Sequence, residues 1–485
     1  MNIKSLFLEN ISIKQTIFKN TFWLIVAELF SRFLEIILII YIVRALGAAE
    51  FGKFAFAMAF ASVFIAFSSL GLSDIFTREL SQDKTAEKEY PAVLSFKIIL
   101  GISAFFLAVV LSIFITSDSS IRLIIGAFAI FYFFNDLFLI IYAFLRAHQK
   151  MEYEAGFKII RSLILVIVVV PVIFQKPSIQ NISYGYLFAN FSALILVLLF
   201  FHFKVYPLKL SFNKIIWKKF FKLSWPLGLA AVFGAILINA DSVMMGYLNQ
   251  TIENGWYNAA RKTVAIIIIP SSLVFMSFYP VLNKLFKESK IALQRVWDYY
   301  VASMIFFAFP ITLGGIVVAP KLISFIYGPN FGPSVLIFQI LIFIAGINFI
   351  YYPYSLILIV SGQQKKYLWG HFIGAVANVV LNLILIPLYG PYGAAISAVV
   401  TYIILFLSVA VFSKYFTPIS IFSRKLFIFL SMVVLSSLIM FFIISQPPIY
   451  NTNIFYLVIT GILTYFSAFL LFYIIFKKFN FKNKK

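Results

Sequence analysis

Fourteen apolar segments, each about 18 to 29 residues long, follow one another along the chain with only short polar stretches between them. They cover roughly 21–43, 52–76, 91–116, 121–146, 157–175, 182–204, 221–247, 257–285, 295–319, 334–361, 366–388, 391–414, 422–445 and 453–477. A helix needs about 20 such residues to cross a hydrocarbon layer about 30 Å thick. Barrel strands would be about 10 residues long and alternate in polarity, whereas these runs are continuous in Phe, Ile and Leu. The pattern predicts an all-α polytopic membrane protein with about 14 transmembrane helices.

Composition agrees, since 485 residues that are 62% hydrophobic, with 60 Phe and only 12% charged, do not make a soluble globule. The formal charge of +22 raises the question of nucleic acid, and its placement answers it. Of the 39 Lys and Arg, 30 lie in alternate loops and at the adjoining span ends. Seven, Arg44, Lys53, Arg122, Lys176, Arg261, Lys262 and Lys321, lie on the other side, while Arg32 and Lys97 lie deeper. This bias predicts a multi-pass protein of the plasma (inner) membrane with both termini cytoplasmic and an even number of spans. The partner of the basic surplus is then anionic lipid headgroups, with no nucleic acid.

Residues 1–20 carry mixed charges and no apolar core followed by a small-residue cleavage site, so the first span is expected to act as the insertion signal. Zero Cys excludes disulfides, thiolate catalysis and Cys-ligated metal, and three scattered His lack zinc-ligand spacing. The longest connection, Val205 to Phe220, has no room for a nucleotide-binding domain, and no phosphate-cradling glycine-rich loop occurs. Outer loops are short and hold Glu50, Asp118 and Glu253 as their carboxylates. Translocation, not chemistry on a sugar, is the expectation: not an enzyme, with no cofactor and no metal site.

Arg32 stands in the middle of the first apolar run, about 16 Å deep at about 1.5 Å rise per residue. Glu28 and Glu35 flank it, and the three fall within about 60° of helical arc. Ionisable groups at that depth are costly in lipid and face protein or water. The stripe is therefore the first place to look for function. A weak internal repeat appears when the chain is shifted by 203 residues: Gly52 falls on Gly255, Phe54 on Tyr257, and Ser68-Ser69-Leu70 on Ser271-Ser272-Leu273. Each match lies in or just before the second span of a six-span half, the mark of a duplicated transporter.

The stretches Asn20-Thr21-Phe22-Trp23, Arg44-Ala-Leu-Gly47, Glu50-Phe-Gly52-Lys-Phe-Ala55 and Gly71-Leu72 resemble the opening of the Wzx-type polysaccharide biosynthesis flippases, in the multidrug/oligosaccharidyl-lipid/polysaccharide exporter superfamily. Gly255-Trp-Tyr257-Asn-Ala-Ala260-Arg261-Lys262, Tyr327-Gly328-Pro-Asn-Phe331 and Asn382-Leu-Ile-Leu-Ile-Pro387-Leu-Tyr-Gly390-Pro-Tyr-Gly393-Ala-Ala395 extend the resemblance over nearly the whole chain. It implies two six-helix lobes forming a V-shaped cationic cavity, here 1–210 (spans 1–6) and 211–420 (spans 7–12), with 421–485 adding spans 13–14 and a basic cytoplasmic tail. It also implies outward flipping of a polyprenyl-pyrophosphate-linked oligosaccharide by alternating access, for surface polysaccharides such as O-antigen. In related lipid II flippases the extra helices form a groove for the isoprenoid tail.

Under that resemblance Arg32 and Arg261 match basic positions of the superfamily and are the expected pyrophosphate ligands, because guanidinium groups engage phosphate oxygens bidentately. The structural alternative for Arg32 is an ion pair with Glu28 or Glu35. Lys53 and Lys262 are further candidates near the outer mouth, where long stems also snorkel to headgroups. Adjacent residues lie about 100° apart on a helix, so Arg261 and Lys262 cannot both aim at one substrate. Arg161, with Lys158, enters the fifth span from the cytoplasm, either as a first phosphate contact or as a topology-setting cluster paired with Glu154. Lys97 is expected to snorkel. Asp241, Glu28, Glu35 and Asp136 are the carboxylates able to couple transport to returning H+ or Na+, and Asp241 has Lys262 as an alternative structural partner.

Prolines crowd the second half, with Pro226, Pro270, Pro280, Pro310, Pro353 and Pro387 against Pro91 and Pro171 in the first, so the second half is expected to bend more. A glycan polymerase complex is a further expected partner. Two other readings share the composition: a cation-coupled multidrug exporter, which calls for an acidic or aromatic site, and a non-transport scaffold of a glycan assembly complex.

Overall fold

The computed structural model describes residues 13–420 and 424–482, and among these every regular element is helical. In chain order they are α1 Ile13–Ser69, α2 Leu72–Gln82, α3 Tyr90–Ile115, α4 Ser119–Ala147, α5 Met151–Gln175, α6 Ile179–Lys204, α7 Lys214–Tyr247, α8 Thr251–Glu288, α9 Lys290–Tyr327, α10 Ser334–Val360, α11 Gln364–Phe416, α12 Arg424–Ile444, the single turn α13 Pro447–Tyr450, and α14 Ile454–Lys482. Eleven helices among the described residues are long and apolar enough to cross a membrane. α1 is not among these eleven, and the expected count of fourteen is reached by adding α1 and dividing both α1 and α11 at glycines. Gly47 in α1 (φ 70°, ψ 178°) and Gly390 in α11 (φ 55°, ψ −132°) leave helical geometry there, in the left-handed half of backbone space that glycine enters without a Cβ clash.

Span ends depart from the sequence expectation in one instructive place. The second apolar run was expected to continue to residue 76, but the helix stops at Ser69, where Leu70 and Gly71 both take positive φ (42° and 64°). A short helix, α2, follows and buries Leu72, Ile75, Phe76 and Leu80. Continuous hydrophobicity cannot register such a break, because both sides of it are apolar.

The chain packs as two compact units, residues up to Gly255 and from Trp256 onward. The assignment of spans to lobes ending at 210 and 420 concerns the repeat and remains a proposal; α7 packs along α1 within the first of these compact units. In that unit α1 is the spine, touching α3, α4, α5, α6 and α7. Beside it Tyr90 packs on Phe76, Phe144 and Phe201 in a buried aromatic cluster. In the second unit α10 lies between α9 and α11, and α9 also carries α12 and α14. Trp297, Tyr300, Leu356 and Val409 are buried in its core.

Two pairs of helices approach closely enough to exclude side chains. A Cβ on Gly52 would stand 1.7 Å from the Thr251 carbonyl oxygen, and one on Gly255 would stand 1.9 Å from that of Ala48. Each glycine thus meets the residue four before the other, a reciprocal crossing of the two positions that the repeat aligns. Asn254 secures it by donating Nδ2–H to the Gly52 carbonyl at 2.9 Å. Farther along, Gly228 of α7 meets the Leu70 backbone, where a Cβ would stand 2.5 Å from the Leu70 Cα. In a bilayer, where apolar surface gains nothing by leaving lipid, small residues of this kind let helices associate through close packing.

Adding one methyl at the first crossing should therefore overpack it. Gly52→Ala and Gly255→Ala should each cost about 1–3 kcal/mol and lower the melting temperature of the purified protein, while Gly234→Ala, with no atom within 4 Å of its Cβ position, should not. Equal melting of Gly255→Ala and Gly234→Ala in detergent would refute the close approach.

Candidate functional site

The polar groups of the first unit converge where α1, α4, α5 and α6 meet. On α1, Arg32 Nε donates to Glu28 Oε1 at 2.6 Å, one turn away. The other oxygen of Glu28 lies 3.8 Å from Lys158 Nζ on α5. At the same level the Ser31 hydroxyl donates to the Lys158 carbonyl oxygen at 3.4 Å, tying α1 to α5.

Lys158 is shared with a second carboxylate, Glu154, 3.1 Å away and one turn earlier in its own helix. Arg146, in the last turn of α4, clamps Glu154 through Nε at 2.7 Å and Nη2 at 2.6 Å. Local sequence explains the encounter. His148-Gln149-Lys150 reverses the chain, with Gln149 at φ 55° and the Lys150 N–H bonded to the Leu145 carbonyl at 2.9 Å, a Schellman-type stop. The arginine then sits at a helix C-terminus and Glu154 in the first turn of the next helix, the positions that helix dipoles favour for each sign. Lys19, fully buried, adds a bond to Glu152 at 2.9 Å and ties the start of α1 to the start of α5.

Arg161 lies one turn beyond Lys158. Its Nε donates to Asn190 Oδ1 of α6 at 3.0 Å, and its guanidinium lies 5.3 Å from the Phe138 ring centre on α4. The Asn190 amide in turn donates to the Phe131 carbonyl at 2.8 Å and to Asn135 Oδ1 at 2.9 Å, so its orientation is fixed. Arg32, Arg146 and Lys158 thus gather around Glu28 and Glu154, with Arg161 one turn beyond Lys158 and Glu35 exposed on the same helix as Arg32.

A separate pair lies fully inside. Lys97 Nζ meets Asp136 Oδ1 at 2.8 Å with both side chains shut off from solvent, 0% and 4% exposed. The Ser68 hydroxyl donates to Asp136 Oδ2 at 3.0 Å, and Lys97 reaches the Ser69 carbonyl at 3.4 Å. The expectation that Lys97 snorkels is corrected: the last carbonyls of α1 and a carboxylate of α4 give the ammonium its partners inside the protein. Asp136, expected as a coupling carboxylate, is held by that lysine.

Other expected residues are placed as follows. Lys53 pairs with Glu50 at 2.7 Å within α1. Asp241 is buried on α7. In the second unit Arg261 donates from Nη1 to the Tyr257 hydroxyl at 3.3 Å and lies 5.7 Å from that ring centre, while neighbouring Lys262 is exposed. For Arg32 the ion pair with Glu28 is present, and Lys158 takes Glu154 as the sequence spacing allowed. Arg161 does not join that cluster pairing and uses Asn190 instead. Sequence reasoning missed Arg146, Asn135 and Asn190. The eight-residue spacing from Arg146 to Glu154 across a turn, and a lone Asn in an apolar span, were the available signals.

A family model described as polysaccharide biosynthesis protein matches residues 17–286. The capsular polysaccharide biosynthesis protein CapF of Staphylococcus aureus is 24% identical over 387 residues, covering 78% of this chain and 94% of that one. The probable flippase AglR of Haloferax volcanii is 21% identical over 394 residues, covering 76% and 78%. Among solved structures, the lipid II flippase MurJ in an inward closed conformation superposes with a TM-score of 0.76 at 18% identity, over 93% of this chain and 98% of that one. An inward-facing MATE multidrug resistance transporter gives 0.63 at 12% identity, over 78% and 94%. At such identities the structural likeness concerns the fold.

The buried Lys97–Asp136 pair carries its own test. Removing one partner strands a charge, so Lys97→Met alone should cost about 3–5 kcal/mol, whereas Lys97→Met with Asp136→Leu should recover most of the loss. Thermal unfolding of the wild type and the two variants in detergent measures this, and a double variant no better than the single one would contradict the pairing.

Proposed function

The chain belongs to the polysaccharide biosynthesis protein family, and from that premise we propose that it is a flippase moving a polyprenyl-pyrophosphate-linked oligosaccharide from the cytoplasmic to the outer leaflet by alternating access, for surface polysaccharide synthesis. The observation that carries the reading is the gathering of Arg32, Lys158 and Arg161, with Arg146 behind them, on neighbouring helices of a protein with membrane-spanning character. Charged groups at bilayer depth turn to protein or to water, so the accessible sides of Arg32 and Glu28 belong to a hydrated space. A diphosphate diester bears about two negative charges, and the planar fork of a guanidinium matches its oxygens.

In this reading Arg32 and Arg161, with Lys53 as an outer contact, are the pyrophosphate-binding residues of the first unit, and Arg261 and Lys262 are the cationic candidates of the second, taken by itself. Asn190 and Phe138 hold the Arg161 guanidinium from two sides, which lowers the ordering cost of binding. Direction follows from charge: with the cytoplasm negative, export of each unit of negative charge gains about 2.3 kcal/mol per 100 mV. Asp241, Glu28, Glu35 and Asp136 are the carboxylates through which H+ or Na+ returning inward would add to this. The fold likeness to a multidrug transporter supports a second reading, export of cationic drugs, but a cluster led by three arginines and a lysine repels such cargo.

Arg32→Gln combined with Arg161→Gln should lower surface glycan at least about tenfold, the scale of one lost charge-assisted contact, with the amount of protein in the membrane unchanged. Normal glycan display by the double variant would remove the site assignment. Vesicles holding the purified protein should translocate a polyprenyl-pyrophosphate sugar and leave a cationic dye untouched; the opposite preference would establish the drug-export reading instead.

A further inference from the structure

Two carboxylates compete for Lys158, and their surroundings differ. Glu154 is 0% exposed, gripped by Arg146 at 2.7 and 2.6 Å and by Lys158 at 3.1 Å. Glu28 is 30% exposed, takes one short bond from Arg32 Nε at 2.6 Å, and stands 3.8 Å from Lys158. The first is a fixed counter-charge that no ligand can reach. The second bridges two cations that are themselves accessible, Arg32 at 43% and Lys158 at 22%.

We propose that Glu28 is an exchangeable counterion of the flippase site: it occupies the anion position between Arg32 and Lys158 when substrate is absent and cedes it to the diphosphate of the arriving lipid. The inference rests on the flippase reading and names a device within that site. The exchange is favourable for a diphosphate because two phosphoryl groups span both cations and a guanidinium accepts phosphate oxygens in pairs, whereas a lone carboxylate satisfies Arg32 at one nitrogen in this arrangement. Glu28 loses little on leaving, since its accessible side is hydrated already. Lys158 stays anchored by Glu154 and Arg32 by its helix, so the cations keep their places while the anion changes.

The same arrangement gives selectivity and release. A monoanion such as chloride meets a carboxylate already seated and gains no bidentate advantage over it. After translocation Glu28 returns to the two cations and helps expel the diphosphate. Without it, the site holds any anion more firmly and lets the substrate go more slowly.

The test uses the full-length chain in nanodiscs, with inorganic pyrophosphate and a polyprenyl-pyrophosphate sugar as separate probes and chloride as competitor. Glu28→Gln, which keeps the shape and removes the charge, should bind both probes at least about tenfold more tightly, because it deletes a like charge a few ångströms from the phosphate position. Chloride should compete more strongly than in the wild type, and vesicle translocation should slow. Glu28→Asp should remain near the wild type in affinity. Unchanged or weaker pyrophosphate binding by Glu28→Gln, with Arg32→Gln losing binding, overturns the counterion role and leaves the flippase site standing. If Arg32→Gln and Lys158→Gln bind both probes as the wild type does, the site itself is wrong. Tightening confined to the lipid probe points to recognition of the tail and also overturns the proposal.

Discussion

A charge carried to the depth of a bilayer must be met by an opposite charge or by water, and the first unit is organised around that constraint. Its α1 spine brings Glu28, Arg32 and Glu35 on one stripe, and α4, α5 and α6 answer with Arg146, Glu154, Lys158, Arg161 and Asn190. The same requirement is met in two ways. Lys97 and Asp136 close on each other beyond reach of solvent, with Ser68 and the Ser69 carbonyl completing their bonds. Glu28, Arg32 and Lys158 pair while keeping an accessible side. The sealed pair holds helices together, and the accessible one is placed to exchange its counterion.

Helix packing depends on close backbone approach as well as on large buried side chains. Gly47 and Gly390 bend long helices by taking positive φ, and Gly52 and Gly255 let two helices cross where a single methyl would collide with a carbonyl. The offset of 203 residues that pairs Gly52 with Gly255 acquires a physical sense in that crossing, since each glycine accepts the turn preceding the other. Lipid offers apolar surface as good a solvent as protein does, so close contact and hydrogen bonds such as Asn254 to Gly52 determine which helices meet.

Family membership and the fold shared with a lipid II flippase are separate observations from the cationic cluster, and the proposed function is the reading that joins them. Under the proposed flippase reading the cluster supplies positive charge for a diphosphate, with Arg161 oriented by Asn190 and Phe138 and Arg32 by Glu28, and a membrane potential would give direction without nucleotide. Binding and release pull against each other in any such site, and in the proposed mechanism Glu28, between Arg32 and Lys158, balances them.

Helical class and membrane residence were determined by the sequence alone, because hydrophobic length acts locally along the chain. Glu154 and Lys158, one turn apart, were equally legible. The termination of α1 at Ser69 was not, since Leu70 to Phe76 are as apolar as what precedes them and only the packing of Leu70 against Gly228 shows why the chain turns there. Nor was the fate of Lys97: its nearest charge in sequence lies far away, and Asp136 reaches it only once α3 and α4 are side by side. Which cations share a carboxylate, and which of those carboxylates water can still reach, is a matter of distances between helices, and tertiary structure alone sets them.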